Sequence, residues 1–313
     1  MHSVAAFYKF VAIPTESLED VRSQIIACAA THHIKGLILL ADEGINGTVA
    51  GAAEPMLEFK RELSAIVYFA GLSFKDSTAD RPPFRRLAVQ IRDEIVTLKS
   101  GIKIPKIKPE NRLSPTEWNE MIVNRGESVT ILDTRNTYET QMGKFRGAVD
   151  PRIKAFGEFP DYVRRSGIPK DKPVLMYCTG GIRCEKAIEE MYAQGYSEVY
   201  QLDGGILKYL EEYPDHQFDG ECFVFDHRVA VDQRLQPTTR YRLCPHCGDP
   251  GTVTIQCGYC SQSTMICAEC NGHEHKKSCS KNCTYHLSKS HVRKERLRKG
   301  RKVAASSFAE KRA

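Results

Sequence analysis

The sequence predicts three regions in series: an α+β sandwich over residues 1–100, a doubly wound parallel α/β sheet over residues 112–222, and a small metal-dependent region over residues 223–290. Three observations predict them. Residues 1–100 alternate strand-like and helix-like apolar patterns. Residues 112–222 hold short, largely apolar strands separated by helical patterns, as in sheets covered on both faces. Eight of the twelve cysteines lie between Cys244 and Cys283 in close pairs.

In the first region, Val4 to Ala12 reads as a strand that ends at Pro14 and Thr15. Leu18, Val21, Ile25, Ile26 and Ala29 then recur at helical spacing, with Ser17 and Asp20 placed as a capping box. Ile34 to Ala41 returns as a strand. Asn46-Gly47 predicts a hairpin turn, because both residues tolerate positive φ; contact with RNA is its other reading. A second helix spans about 55–66, and strands follow at Leu87–Ile91 and Ile95–Leu98. The order β-α-β-β-α-β predicts a ferredoxin-like, acylphosphatase-like sandwich. Residues 101–111, with two prolines and three lysines between Gly101 and Pro109, read as an extended linker.

In the second region, Ser114-Pro115 opens a helix through Trp118 and Met121. Val129–Leu132 is a strand ending in Asp133-Thr134-Arg135, and Pro173–Tyr177 is one ending at Cys178. A helix from about Arg183 to Gly195 and a strand at Glu198–Leu202 complete the rhythm. Parallel sheets bind ligands beyond the carboxyl ends of their strands, which is where Cys178 falls.

Composition narrows the class. Apolar residues at 41% and charged residues at 27% fit a globular protein. No apolar run approaches the roughly 18 residues that span a bilayer, so no membrane association is expected. Met1-His2-Ser3-Val4 lacks a charged lead and an apolar core, and clustered cysteines fit bound metal in a reducing compartment better than disulfides. A cytoplasmic protein is expected. The net charge is +6, yet residues 291–313 carry nine Lys/Arg against two Glu, +7 on their own. Such a tail is either a solvated, partly helical segment or an arm for nucleic-acid phosphates or an acidic membrane surface.

The stretch Cys178-Thr179-Gly180-Gly181-Ile182-Arg183-Cys184 joins a strand to a helix. Successive N–H groups of a Gly-bearing turn and the positive end of a helix converge on an anion. A sulfur at the head of that turn is stabilised as thiolate, its reactive form. Cysteine phosphatases place five residues between cysteine and arginine; here four stand between Cys178 and Arg183. The shorter loop fits a sulfane sulfur better than a phosphate ester. Cys184 is either a resolving thiol for a Cys178 persulfide or sulfenate or a small buried residue. Asp133 and Arg135 either line the pocket or form a charge pair that orients the loop.

The strand–Cys–loop–helix unit, with Asp133-Thr134-Arg135 before it and Asp203-Gly204-Gly205-Ile206 after it, resembles a rhodanese domain. The chain is further similar to the rhodanese-related tRNA uridine hydroxylases. That similarity rests on Asp42-Glu43-Gly44-Ile45-Asn46-Gly47-Thr48, on Tyr177 to Lys186, on Gly205 to Glu211, and on Gly220-Glu221-Cys222-Phe223-Val224-Phe225-Asp226. The resemblance implies a rhodanese-like sheet and oxygen-dependent conversion of wobble uridine 34 of tRNA to 5-hydroxyuridine. It implies Cys178 as the catalytic residue, passing through a persulfide, with molecular oxygen as co-substrate and an unknown electron donor. No flavin or nicotinamide fingerprint and no two-His-one-carboxylate iron set is visible, so no organic cofactor is expected. A plain sulfurtransferase fits the loop equally well. A non-catalytic RNA- or protein-binding scaffold is the third reading, against which Cys178 itself stands.

Cys244/Cys247, Cys257/Cys260 and Cys267/Cys270 are separated by two residues, and Cys279/Cys283 by three. That spacing lets both thiolates of a pair reach one tetrahedral ion, so four pairs predict two structural zinc ions. Sequential and interleaved pairings both fit, an iron–sulfur cluster is the alternative occupant, and His246, His273, His275 or His286 could replace a cysteine. Arg293, Lys294, Arg296, Arg298, Lys299, Arg301 and Lys302 are the candidate tRNA phosphate contacts.

Overall fold

The computed structural model describes residues 1–289, which form two compact units, Met1–Thr238 and one starting at Thr239. The phosphate contacts expected of the 291–313 tail lie outside the described residues.

The first unit opens with an antiparallel sheet carrying two helices. Its elements are β1 (His2–Phe10), α1 (Leu18–Thr31), β2 (Lys35–Ala41), β3 (Gly44–Gly51), α2 (Ala53–Ala65), β4 (Phe74–Ala79) and β5 (Leu87–Ile91). The strand order is β4-β1-β3-β2-β5, with β5 parallel to β2 and the other pairs antiparallel. The first four strands make the ferredoxin-like sandwich, and β5 extends it. Leu18, Val21, Ile25, Met56, Phe59 and Leu63 of the helices close one core with Ala5, Phe7, Ile38 and Val49 of the sheet. Because side chains alternate along a strand, Ala6 and Tyr8 face away from that core.

Three local expectations for this region are corrected, and one strand is added. The β2–β3 turn falls at Asp42–Glu43, and Asn46-Gly47 lies inside β3, opposite Tyr8 and Phe7. A Cβ on Gly47 would stand 2.8 Å from the Phe7 ring, so that glycine serves packing. Ser17 precedes α1 without a side-chain cap bond. Ile95–Leu98 forms no strand, because carboxylates take its amides: Ile95 N donates to Glu43 Oε1 at 2.6 Å and Leu98 N to Glu94 Oε2 at 2.9 Å. The missing strand is β4, whose Lys-Asp-Ser-Thr centre carries no apolar alternation because β4 is a sheet edge.

The parallel sheet follows, built from β6 (Arg112–Leu113), α3 (Pro115–Arg125), β7 (Thr130–Asp133), α4 (Thr137–Thr140), β8 (Gly143–Phe145), α5 (Phe159–Arg165), β9 (Val174–Tyr177), α6 (Ile182–Ala193), β10 (Val199–Leu202) and α7 (Gly205–Glu212). The order β6-β10-β9-β7 is parallel throughout. A capping box between Ser114 and Glu117 opens α3. Trp118, Ile206 and Tyr209 of α3 and α7 pack on one face, and Phe159, Ala187, Ile188 and Met191 of α5 and α6 on the other. That two-faced cover makes the strand interiors apolar. The stretch after β5 is extended but strapped down: Leu98 enters the α5/α6 core, and Ile102 and Ile107 pack against it. The first unit runs to Thr238. Phe218–Gly220 (β11) pairs with β8, and Cys222–Phe223 (β12) pairs with Ala230–Val231 (β13), while Phe218, Cys222, Val224 and Val231 share one core with Leu175, Tyr177 and Leu202 of the parallel sheet.

The two domains of this unit share a buried ion cluster. Lys186 of α6, fully buried, lies 2.8 Å from Glu43 Oε2 and 2.6 Å from Glu94 Oε2. Removing one partner of such a cluster leaves an uncompensated buried charge, costing about 3–5 kcal/mol. Lys186→Met is therefore expected to destabilise the protein by about that amount in urea unfolding, and Glu43→Gln added to it to recover part of the loss. An unchanged midpoint for the single variant would show that the cluster holds nothing together.

In the second unit, Arg242–Leu243 (β14) pairs with Pro250–Gly251 (β15), and Val253–Gln256 (β16) with Ser263–Ile266 (β17). Among the described residues, no helix is long and apolar enough to cross a membrane.

Candidate functional site

Strand β9 delivers Cys178 to the carboxyl edge of the sheet, where it is fully buried. The chain then turns through Thr179-Gly180-Gly181 into α6, which begins at Ile182. Gly181 takes φ +100°, a conformation that favours glycine, and aims its N–H at Cys178 Sγ at 2.9 Å. The start of α7 grips the loop from behind: Ile206 N donates to Cys178 O at 3.0 Å and Leu207 N to Thr179 O at 3.2 Å. Gly205, at φ +70°, makes that approach possible, since a Cβ there would meet both carbonyl oxygens at 2.6 Å. The Gly-Gly-Ile run after β10 is thus a support for the sulfur loop.

The charges around the sulfur are fixed by buried pairs. Arg183 makes a two-bond fork with Glu139, at 2.6 and 2.7 Å, and Thr179 Oγ1 donates to the same carboxylate at 3.3 Å. Burial by itself raises the Cys178 thiol; the Cys184 thiol, the Arg183 guanidinium and the amides of Arg183 and Gly181 outweigh it and hold Cys178 well below an ordinary cysteine. Cys184 moves the opposite way, raised first by burial and then by its bond to the Cys178 anion; its sulfur lies 3.6 Å from Thr134 Oγ1. The loop therefore holds one acidic and one reluctant thiol side by side.

Asp133 and Arg135 are both fully buried and paired with each other at 2.7–3.2 Å, and Arg135 Nη2 also donates to Gly143 O at 2.6 Å. They join the end of β7 to β8 as a buried charge pair. Asn46 Nδ2 donates to Ile95 O at 2.9 Å, so that amide is engaged within the fold.

Several further side chains surround the loop, and the sequence reading gave none of them a role at the site. Glu185, on α6, accepts from Tyr8 Oη at 3.1 Å and lies 2.9 Å from Arg112 Nη2. Lys75 Nζ donates to Gly180 O. Both Tyr8 and Lys75 come from the N-terminal sheet, far away in sequence. Phe225, 54% exposed, lies with its ring 5.8 Å from the Arg183 guanidinium, braced edge-on by Phe223 at 5.0 Å. An exposed aromatic beside a reactive loop offers a face on which a base can stack.

In the second unit the cysteines assemble in an interleaved pattern. Cys244, Cys247, Cys267 and Cys270 form one group, and Cys257, Cys260, Cys279 and Cys283 the other, each with its sulfurs within 4.8 Å of one another. Four thiolates at the zinc–sulfur distance of about 2.3 Å place sulfurs roughly 3.8 Å apart. The observed Cys247–Cys267, Cys260–Cys279 and Cys279–Cys283 distances of 3.5 Å and Cys260–Cys283 distance of 3.8 Å fit a tetrahedral ion. Neither group includes a histidine; His246 Nε2 lies 3.0 Å from Ser278 O and His286 stacks on Tyr259.

Comparison with known proteins agrees with this architecture. Residues 2–95 match the UPF0176 acylphosphatase-like domain, residues 114–212 the rhodanese-like domain, and residues 219–284 the rhodanese C-terminal domain. A tRNA uridine(34) hydroxylase of Bdellovibrio bacteriovorus is 47% identical over 93% of this chain and 83% of its own. Proteins of the same name from Rhizobium leguminosarum bv. trifolii and Teredinibacter turnerae are 43% and 45% identical, over 85% and 79% of this chain and 86% and 76% of theirs. With that identity along nearly the whole chain, and with the sulfur loop, the sandwich and the cysteine groups in place, the chain belongs to the tRNA uridine(34) hydroxylase family.

Proposed function

We propose that this protein hydroxylates uridine 34 of tRNA to 5-hydroxyuridine, using molecular oxygen, with Cys178 as the reactive sulfur. The observation that carries the reading is the sulfur itself. It is buried at a strand end, receives the Gly181 N–H at 2.9 Å and is held well below the ordinary thiol range, in a chain whose relatives bear that activity as their name. A thiolate is the form that attacks the outer sulfur of a sulfane donor, forming the Cys178 persulfide as the donor's own bond to that sulfur breaks and its remainder leaves as an anion. Replacing a C–H by C–OH with dioxygen releases one water and consumes two electrons and two protons. An electron donor is therefore a required partner. Cys184, kept protonated beside Cys178, is positioned to resolve an oxidised Cys178 as a disulfide.

The cysteine groups would hold two zinc ions with four thiolates each. Zinc in such closed sites organises the chain and leaves no position for water. We place the protein in the cytoplasm, with its tRNA substrate. The domains would run 1–100, 112–222 and 223–290, joined by the 101–111 linker, with the tail at 291–313.

Sulfur transfer by a Cys178 persulfide is the second reading, favoured by the same acidic thiol. Nucleoside analysis separates the two, in a host lacking other routes to wobble 5-hydroxyuridine. Deleting the gene should remove 5-hydroxyuridine derivatives and restoring it should return them. Loss of thiouridines with 5-hydroxyuridine intact would establish sulfur transfer instead.

The basic tail would grip tRNA phosphates without reading bases. Deleting residues 291–313, with its seven candidate cations, is expected to weaken tRNA binding on the order of tenfold or more at low salt and to flatten the salt dependence. Equal affinities at low and high salt for the full and shortened chains would remove the tail from this role.

A further inference from the structure

We propose that Cys28, His32 and Glu62 of the N-terminal domain form a further metal site, which takes one divalent transition ion such as zinc on a thiolate, an imidazole and a carboxylate. The inference goes beyond the functional reading above and does not rest on it. Cys28 and His32 stand four residues apart at the end of α1, so their side chains leave the same face of that helix. Glu62 lies near the end of α2, which shares one core with α1 through Val21, Ile25, Phe59 and Leu63. Packing of the two helices brings Cys28 Sγ, a His32 ring nitrogen and a Glu62 carboxylate oxygen within 4.8 Å of one another. His32 Nε2 stands 3.1 Å from Glu62 Oε1.

The direction of that contact is a second, independent observation. His32 Nε2 is shielded from solvent and, among the described residues, makes no hydrogen bond, although a carboxylate oxygen is only 3.1 Å away. The two atoms are therefore close but not aligned on each other. A buried polar atom without a partner is costly, and an ion set between Sγ, Nε2 and the carboxylate supplies one. Zinc binds sulfur at about 2.3 Å and nitrogen or oxygen at about 2.0–2.2 Å, which spaces neighbouring ligand atoms roughly 3–4 Å apart. The nearby cations are engaged elsewhere: Arg61 by Glu58 at 2.6 and 2.9 Å, and Lys60 by Asp76. The donor set selects the ion. Calcium and magnesium require shells made of oxygens, whereas zinc accepts sulfur, nitrogen and oxygen together. Three protein ligands leave the fourth tetrahedral position to water, and Glu62, with its side chain 42% exposed, gives the ion a way in from solvent. The Cys28 proton leaves to solvent as the ion binds. Three mixed ligands hold an ion less tightly than four thiolates, so this site fills after the two cysteine groups.

The test uses the full-length, zinc-loaded protein, dialysed against metal-free buffer so that only tightly held metal remains. Cobalt(II) is then added anaerobically to wild type, Cys28→Ser, His32→Gln and Glu62→Gln, and the charge-transfer absorption of sulfur-bound cobalt is followed together with zinc release. Wild type should take up one more cobalt per chain than Cys28→Ser, without releasing zinc, and the absorption should bleach when zinc is added afterwards. His32→Gln and Glu62→Gln should each weaken that uptake about tenfold or more. The wild-type titration stands by itself, so a variant that folds poorly does not rescue the proposal. No cobalt uptake by wild type beyond its tightly held zinc overturns it. Sulfur-bound cobalt that persists in Cys28→Ser, or binding that both His32→Gln and Glu62→Gln leave unchanged, overturns it as well. Each result is independent of whether the protein hydroxylates tRNA.

Discussion

Cys178→Ser is expected to abolish tRNA hydroxylation, by on the order of 10³-fold or more, in a protein that still folds. Serine is nearly isosteric, so Gly181 N–H keeps an acceptor where the sulfur stood 2.9 Å away. The substitution removes polarisability and acidity. A hydroxyl does not ionise in that nest near neutral pH and forms no persulfide, so both the anion and the sulfur chemistry are lost together. Cys184→Ser should do much less in a single turnover, because its raised thiol is the proton-bearing partner. Quantifying 5-hydroxyuridine by mass spectrometry after incubation with unmodified tRNA, oxygen and a reductant checks both. Full activity in Cys178→Ser would remove the sulfur from the mechanism.

Stripping the metal is expected to unfold the second unit and leave the first standing. Among the described residues from Thr239 onward, few apolar side chains are buried apart from Tyr241, Ile266, Leu287 and five of the cysteines. Hairpins of two to four residues per strand, such as β14–β15 and β16–β17, are not stable alone. Structural zinc contributes about 10–16 kcal/mol to small domains of this kind. The interleaved pairing makes the two ions interdependent, since the chain between Cys247 and Cys267 carries the Cys257/Cys260 pair of the other group. Cys257→Ser should therefore cost more than one ion's worth of order. Metal analysis should give two zinc per wild-type chain. Chelation should open the second unit to proteolysis while the core of Met1–Thr238 resists. Protease resistance that survives complete removal of metal would contradict the zinc assignment.

How far the fold was legible depended on whether the deciding contacts were local. The parallel sheet announced itself because its strands are buried on both faces: Val174-Leu175-Met176-Tyr177 is wholly apolar and wholly buried. The Cys178 loop was legible for the same reason, since the geometry that acidifies the sulfur is carried by neighbours within a few residues. Edge and long-range features were not. Phe74–Ala79 is a strand because β1 pairs with it, not because its residues alternate. Asn46-Gly47 looked like a turn, but its glycine is required by the Phe7 ring across the sheet. Glu43, Glu94 and Lys186 meet only once two domains are packed together, and so do Tyr8, Lys75 and the loop. Cysteine spacing told which residues act as pairs; only the folded chain shows that the first pair meets the third and the second meets the fourth.

Linkage gives the sulfur a signature in stability as well. A thiol lowered in the folded state contributes stability that is fully present above its unfolded pKa and is lost as pH falls through the folded one. The lowering of Cys178 therefore predicts that Cys178→Ser narrows its stability deficit on acidification. The most direct measurement of the central claim is the pH profile of alkylation at Cys178 in the intact wild-type protein, read peptide by peptide. The account predicts an inflection for Cys178 far below that of a free cysteine, with Cys184 reacting only at much higher pH. Cys178 titrating like a free thiol, in step with Cys184, would contradict it.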